Sequence, residues 1–283
     1  INAALNHRNF WDGRANMVFN GIDPFGRRSN LAFPTRGVWE LAATAKTPRQ
    51  VQIEISNSSL ASQAVGPGLS SFEMSCAANK TFGSLKEEAE KRFLEDITGR
   101  TWSHIGAKLV KARALQYQSV HPNDSVLASA REVSGAGLNA TYGELVQKAF
   151  QDRWWIAPSV NEPYPQQGRN FSQIEANFSL FFGLAVQRYE RLLISDQTRY
   201  DAYREGEKCA ITIPERAGLA IFLDKGKCVN CHNTAVFTNA STIHLINEER
   251  EKGLVERMIM GDQARGPALY DNGLYNIGVR PTA

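Results

Sequence analysis

The sequence predicts a mainly α-helical chain in two domains with little β structure, and three observations carry that expectation. Residues 172–193 repeat apolar side chains at spacings of three and four (Ile174, Phe178, Phe181, Phe182, Ala185, Tyr189, Leu192), the period of a helix with one buried side. Two stretches begin with capping boxes, Thr141 with Glu144 and Ser172 with Glu175, in which each side chain takes the other residue's unpaired backbone N–H. Only VQIEIS, residues 51–56, alternates apolar and polar positions as a strand does.

Taken in order, the opening third is rich in Gly, Pro, Asn and Ser, as in NGIDPFGRRSN and AVGPGLSS, a composition that makes turns. From residue 84 to 118 the pattern becomes helical, with charges in KEEAEKRFLEDI and apolar residues at Ile105, Leu109 and 112–115. HPNDSV then supplies a turn with Asp124 or Ser125 as a cap, and TYGELVQKAF, 141–150, reads as a short helix. After the helix of 172–193 comes a polar connection near 195–213, which places the domain boundary near residue 205 and gives domains 1–205 and 206–283. PERAGLAIFLD opens a further helix with Pro214 in its first turn, where a missing N–H costs nothing, and runs to Lys225-Gly226.

Bulk properties exclude several classes. A length of 283 residues suits two ordinary domains, and 42% hydrophobic with 22% charged residues argues against disorder. The formal charge of +3, from 32 basic and 29 acidic residues, makes no case for nucleic acid or an anionic membrane. The most apolar stretch, FSLFFGLAV at 178–186, is about half of the roughly 20 residues a bilayer span needs. INAALNHRNF lacks the layout of a signal peptide, and both ends of the chain are abrupt, so a processed product or an interior slice of a longer protein is expected.

The strongest local signal is KCVNCH, 227–232, which contains Cys228, Cys231 and His232. Cys-x-x-Cys-His is the c-type haem attachment motif: the two thiols add to the porphyrin vinyl groups and the imidazole becomes an axial iron ligand. Two residues between the thiols place both sulfurs along one edge of the porphyrin, and the next residue can turn its ring under the metal. A zinc site would need four ligands, for which Cys209 and His244 are the loose extra candidates. A redox dithiol should follow a strand and open a helix, whereas here a helix precedes the motif. Helix, loop, then Cys-x-x-Cys-His is the order a cytochrome c domain shows.

Beyond that motif, NFWDGRA at 9–15, QAVGPGLSSFEMS at 63–75, ANFSLFFGLAVQRYERLLIS at 176–195, YDAYREG after it, KCVNCHN, and DNGLYNIGV at 271–279 are spread over most of the chain. In these short blocks, spread along the chain rather than covering it, the chain resembles the bacterial dihaem cytochrome c peroxidases and their relatives, which include the enzyme that matures a tryptophan-derived cofactor in a partner dehydrogenase. The longer interval between Trp11 and Glu73 resembles the long-chain branch of that family.

The resemblance implies two cytochrome c-like haem domains and a hydrogen-peroxide-dependent oxidoreductase. Cys228, Cys231 and His232 would carry the electron-transfer haem, with His232 as its iron ligand. Trp11 would lie between that haem and a peroxidatic one, Glu73 would be the distal carboxylate, and Gln63 and Pro67 would line the same pocket. A carboxylate in a water-poor pocket has its pKa raised toward neutrality, so it can take a proton from one peroxide oxygen and return it to the other. A second haem c and a calcium ion are implied, with the first Cys-x-x-Cys-His and a calcium-binding asparagine before Ile1 and the sixth iron ligand after Ala283.

Electrons would come from a small donor, a cytochrome c or a cupredoxin; a homodimer and a periplasmic location are further implications. The alternative functions are oxidation of a partner protein's residues and a non-catalytic electron-transfer cytochrome or haem subunit. Among the other candidates, Cys76 and Cys209 are either a disulfide or two buried thiols. His7, His104, His121 and His244 read as surface or structural histidines, and Trp11 would otherwise be a core aromatic.

Overall fold

The computed structural model describes residues 1–10, 13–29, 37–70, 73–74, 101–161, 170–230, 232–233, 235–238, 240–243, 255–259 and 267–271, the last two spans and Arg28 as backbone. The chain is mainly helical, with two small two-stranded sheets among the described residues. It divides into two compact units: one of Ile1–Met17, Ser56–Leu60 and Val186–Ala283, the other of Val18–Ile55 and Ala61–Ala185.

In the second unit, β1 (Val38–Glu40) pairs antiparallel with β2 (Arg49–Val51) in the register Val38 with Val51 and Glu40 with Arg49. The expected strand 51–56 is therefore only touched at its first residue. Ile55 bridges instead to Phe19 through backbone hydrogen bonds of 2.9 and 3.0 Å. The core gathers Phe19, Val38, Ala61, Val65, Trp102, Val146, Ile174, Phe178, Leu180 and Phe181. Apart from Phe19 and Val65, these residues come from α1 (Ser59–Ala64), α2 (Trp102–Leu109), α3 (Tyr142–Ala149), α4 (Gln173–Ala176) and α5 (Phe178–Glu190) as well as β1.

Helix α3 starts where its sequence signature places it, with Thr141 Oγ1 accepting the Glu144 N–H at 3.2 Å and Glu144 returning to the Thr141 N–H at 2.7 Å. Helix α2 is capped by an unexpected pair: the Thr101 N–H and hydroxyl both meet His104 Nδ1, at 3.3 and 2.9 Å. Gly106 lets α2 approach α4 closely, since a Cβ there would lie 2.3 Å from the Glu175 carbonyl oxygen.

Two helical expectations are corrected. Of the stretch 84–118, residues 84–100 lie outside the described residues, and the helix that follows ends at Leu109. The apolar residues 112–115 sit in turns: Ala114 exchanges hydrogen bonds of 2.9 Å with Ala140 and Leu138 and joins a separate cluster with Val120 and Leu138. The stretch 172–193 is not one helix but α4 and α5, parted at Asn177. The Asn177 side chain accepts the Trp39 N–H at 2.8 Å and donates to the Trp39 and Trp154 carbonyls at 2.7 and 2.8 Å. Tyr189 and Leu192, assigned to the buried side, are 63% and 69% exposed.

In the first unit, Asn6 bridges to Ser241 and the His7 N–H donates to the Ala240 carbonyl at 2.8 Å. The polar connection after α5 contains α6 (Arg199–Arg204), and α7 (Ile213–Leu223) follows. Backbone strands β3 (Val255–Ile259) and β4 (Pro267–Asp271) pair antiparallel. The expectation had been little β structure, and these short ladders keep the chain mainly α.

Candidate functional site

Helix α7 is fixed at its start by Thr212, whose hydroxyl accepts the Glu215 N–H at 3.4 Å while Glu215 Oε2 accepts the Thr212 N–H at 2.6 Å. Glu215 also forms a fork with Arg199 of α6, at 2.8 and 2.7 Å, and Arg199 Nε donates to the Ala210 carbonyl at 2.8 Å. The Thr212 N–H and hydroxyl, and then Arg199, hold the Glu215 carboxyl down at about 2. This joins α6 to the head of α7. The tail of α7 leads straight into the cysteine motif.

There the chain turns sharply. The Gly226 N–H donates to the Ile221 carbonyl at 2.7 Å, and a Cβ on Gly226 would meet that oxygen at 2.8 Å. Lys227 adopts a φ of 53°, the left-handed region, and Cys228–Asn230 form one 3-10 turn. The His232 N–H donates to the Cys228 carbonyl at 2.8 Å, so the first thiol and the imidazole share a helical turn. Both residues are exposed. Cys231 lies outside the described residues.

The His232 ring has a defined tautomer. Nδ1 is 3.0 Å from the Phe237 carbonyl oxygen, and a carbonyl only accepts, so Nδ1 carries the proton. Nε2 then holds the lone pair that a metal needs, the arrangement by which an outer partner orients an imidazole ligand. None of the residues of α7 is buried, and Ile213, Ile221 and Leu223 are exposed. An exposed thiol, an imidazole with Nε2 as the basic nitrogen and an apolar helix leading into the turn fit a covalently attached porphyrin. Cys228, Cys231 and His232 could hold it. Among the described residues no three or more His, Cys, Asp or Glu side chains gather to hold a metal ion, and two of the zinc candidates, Cys231 and His244, lie outside them.

The second candidate cluster lies in the other unit. Gln63 is on α1, half-buried, and Pro67 opens the 3-10 turn Pro67–Leu69. Trp102 lies beneath this turn: its Nε1 donates to the Val65 carbonyl at 3.2 Å, and a Cβ on Gly68 would be 2.9 Å from its ring. Trp102 also packs on Phe182, with ring centroids 5.4 Å apart. The Glu73 N–H donates to the Ser70 carbonyl at 3.1 Å, and the residue is exposed. Residues 71–72 and 75–100, its nearest neighbours in sequence, lie outside the described residues, as does Cys76.

Trp11 also lies outside the described residues. Asn9 and Ala15, both buried, exchange two backbone hydrogen bonds of 3.3 Å. Asn9 Nδ2 donates to Ser59 Oγ at 3.1 Å, and that hydroxyl donates to the Asn6 carbonyl at 2.9 Å. Arg14 covers the Phe10 ring at 3.7 Å from its centroid.

Of the remaining histidines, His104 is the cap already described and meets Phe171 edge-on, His121 Nδ1 accepts the Asn123 N–H at 3.1 Å, and His244 lies outside the described residues. Cys209 is exposed. Sequence reasoning passed over Phe237, Trp102 and Asn9. The Gly-Pro-Gly turn was the one available signal for Trp102, since a residue without a side chain invites a close neighbour. No described helix is long and apolar enough to cross a membrane.

Fold and site together define a mainly helical protein with Cys228 and His232 of its Cys-x-x-Cys-His motif exposed and the imidazole hydrogen-bonded to a backbone carbonyl. Over 51 residues, 17% of its length, the chain is 37% identical to the cytochrome-c peroxidase IdrP1 of Pseudomonas sp. (strain SCT). The same identity and coverage hold for the cytochrome-c peroxidase IdrP1 of Denitromonas iodatirespirans. The match spans 14% of the length of each of these relatives. No family model matches the chain. No solved structure matches it.

Proposed function

We propose that this chain is part of a haem c oxidoreductase that reduces hydrogen peroxide, with Cys228, Cys231 and His232 carrying an electron-transfer haem. The observation that carries this reading is the His232 tautomer, with Nδ1–H donating to the Phe237 carbonyl and Nε2 left with the lone pair. The similarity to two cytochrome-c peroxidases over 51 residues supports the choice of reaction. Bound at this turn, a haem c supplies one-electron transfer.

The protein's own residues then have separate tasks. Cys228 and Cys231 would hold the porphyrin through thioether bonds, and His232 would be its iron ligand. Trp11 shortens the gap toward a second, peroxidatic haem. Glu73 takes a proton from the proximal peroxide oxygen and delivers it to the distal one, with Gln63 and Pro67 shaping the space around it. Domains 1–205 and 206–283, a calcium ion between them, a cytochrome c or cupredoxin donor, a homodimer and a periplasmic location complete the reading.

The test is a pyridine haemochrome assay on the full-length protein combined with peroxide-dependent oxidation of a reduced small cytochrome. Two haems per polypeptide and turnover are expected; a chain without covalent haem sinks the proposal. Mass spectrometry of partner proteins after peroxide treatment separates this reading from oxidation of a protein substrate, which leaves modified side chains.

One observation favours a second reading, a non-catalytic electron carrier: Glu73 is exposed. The electron paramagnetic resonance spectrum of the oxidised protein decides, because an open peroxide site gives a high-spin signal and a six-coordinate carrier does not.

A further inference from the structure

Phe237 holds two positions at once. Its carbonyl accepts the hydrogen bond from His232 Nδ1–H, and its ring lies between Tyr200 of α6 and Phe222 of α7. The centroid distances are 5.3 Å to Tyr200, with the planes tilted by 58°, and 5.9 Å to Phe222, edge to face. Both separations lie in the range in which aromatic pairs attract.

The Phe237 backbone has a φ of 57°, a conformation that side chains other than glycine rarely adopt. No glycine or asparagine supplies it here. Something outside the residue must hold it, and the two flanking rings are what the structure offers. The elements that carry those rings are themselves joined by the fork between Arg199 and Glu215.

We infer that Phe237 is a positioning residue for the ligand imidazole, and that the Tyr200–Phe237–Phe222 clasp tunes the reduction potential of the haem at His232 by fixing the carbonyl that accepts the Nδ1–H hydrogen bond. This rests on the proposal that a haem c is attached at Cys228 and Cys231. A firm Nδ1–H···O=C bond makes the imidazole a stronger donor and favours the ferric state; a loosened one favours the ferrous state. Released from the clasp, the Phe237 backbone can leave its left-handed conformation and carry the carbonyl away from the ring.

The test compares Phe237→Ala, Tyr200→Leu and Phe222→Leu with the unaltered full-length protein, with Tyr117→Leu as a control at a fully exposed site. Each is assayed for haem content, for the midpoint potential of the haem by redox titration, and for solvent exchange of the His232 Nδ1 proton by NMR. The expected result is unchanged haem content, faster Nδ1 proton exchange and a rise in potential for the three clasp variants. A tenfold shift toward the ferrous state corresponds to about 59 mV for a one-electron couple. Unchanged potential and exchange in Phe237→Ala and Tyr200→Leu, with haem in place, overturn the inference and leave the haem assignment standing. An equal shift in Tyr117→Leu overturns it as well. A parent protein without covalent haem overturns the assignment on which the inference rests.

Discussion

Arg199 and Glu215 meet in a two-pronged fork, Nη1 to Oε1 at 2.8 Å and Nη2 to Oε2 at 2.7 Å, between α6 and α7. Glu215 completes the box with Thr212, and Arg199 is the first residue after its own cap, Thr198.

The pH dependence of stability follows from that carboxylate. Its folded pKa is lowered from 4.5 to about 2, so the folded chain releases the proton more readily than the unfolded one. The contribution is complete above 4.5 and is lost as pH falls toward about 2. Because the pair is exposed, added salt should weaken its Arg199 component. Thermal melts of the parent and Glu215→Gln across the acidic range check this: the two curves should converge as the solution is acidified.

Asp23 behaves in the opposite sense. Burial raises its pKa above the ordinary 3.8, against the lowering effect of hydrogen bonds from Ser29, Phe25 and Asn20. The folded chain therefore holds this proton more tightly, and stability declines as pH rises from about 3.8 toward the folded value. Oδ1 accepts from Phe25 and Asn20, and Oδ2 accepts from the Ser29 hydroxyl. Asp23→Asn can keep all three contacts by donating to Ser29, and should flatten the dependence. Asp23→Ala removes the acceptor from all three donors, at about 1–3 kcal/mol for each one that stays buried and unsatisfied. Urea midpoints measured from acidic to neutral pH distinguish the variants.

Asn177→Ala should be among the more damaging substitutions in the second unit. It takes the acceptor from the Trp39 N–H and a donor from the Trp154 carbonyl. The expected loss is about 1–3 kcal/mol for each buried group left without a partner, read from equilibrium unfolding. Gln173 still donates to the Trp39 carbonyl at 2.9 Å, so that group should be spared.

Glu73→Gln tests the proposed proton transfer. Peroxide turnover should fall about a hundredfold to ten-thousandfold, with haem content and unfolding midpoint unchanged. Turnover within a factor of about two of the parent would remove Glu73 from the chemistry and favour the carrier reading.

What could be read from the sequence was local. The α3 box at Thr141 and Glu144 and the Pro214 start of α7 depend on residues three apart or fewer, and the structure places both. The break at Asn177 depends on Trp39, 138 residues away, and no periodicity can register it. The cysteine motif was visible as a string, whereas the hydrogen bond that sets the tautomer of its histidine depends on the φ of Phe237, a residue with no preference for that conformation. Trp102 escaped notice because its partner, the turn 65–69, reaches it only through the folded chain.

The interleaving of the two compact units has a consequence for biosynthesis. The chain passes between them at 17/18, 55/56, 60/61 and 185/186, so the Val18–Ala185 region is on hand for the second unit once the ribosome has passed that point. The first unit cannot close then, because Asn6 must wait for Ser241, which emerges more than two hundred residues later. The Ile1–Met17 segment thus stays unpaired until Ser241 has emerged, and the ordering of the first unit follows that of the second.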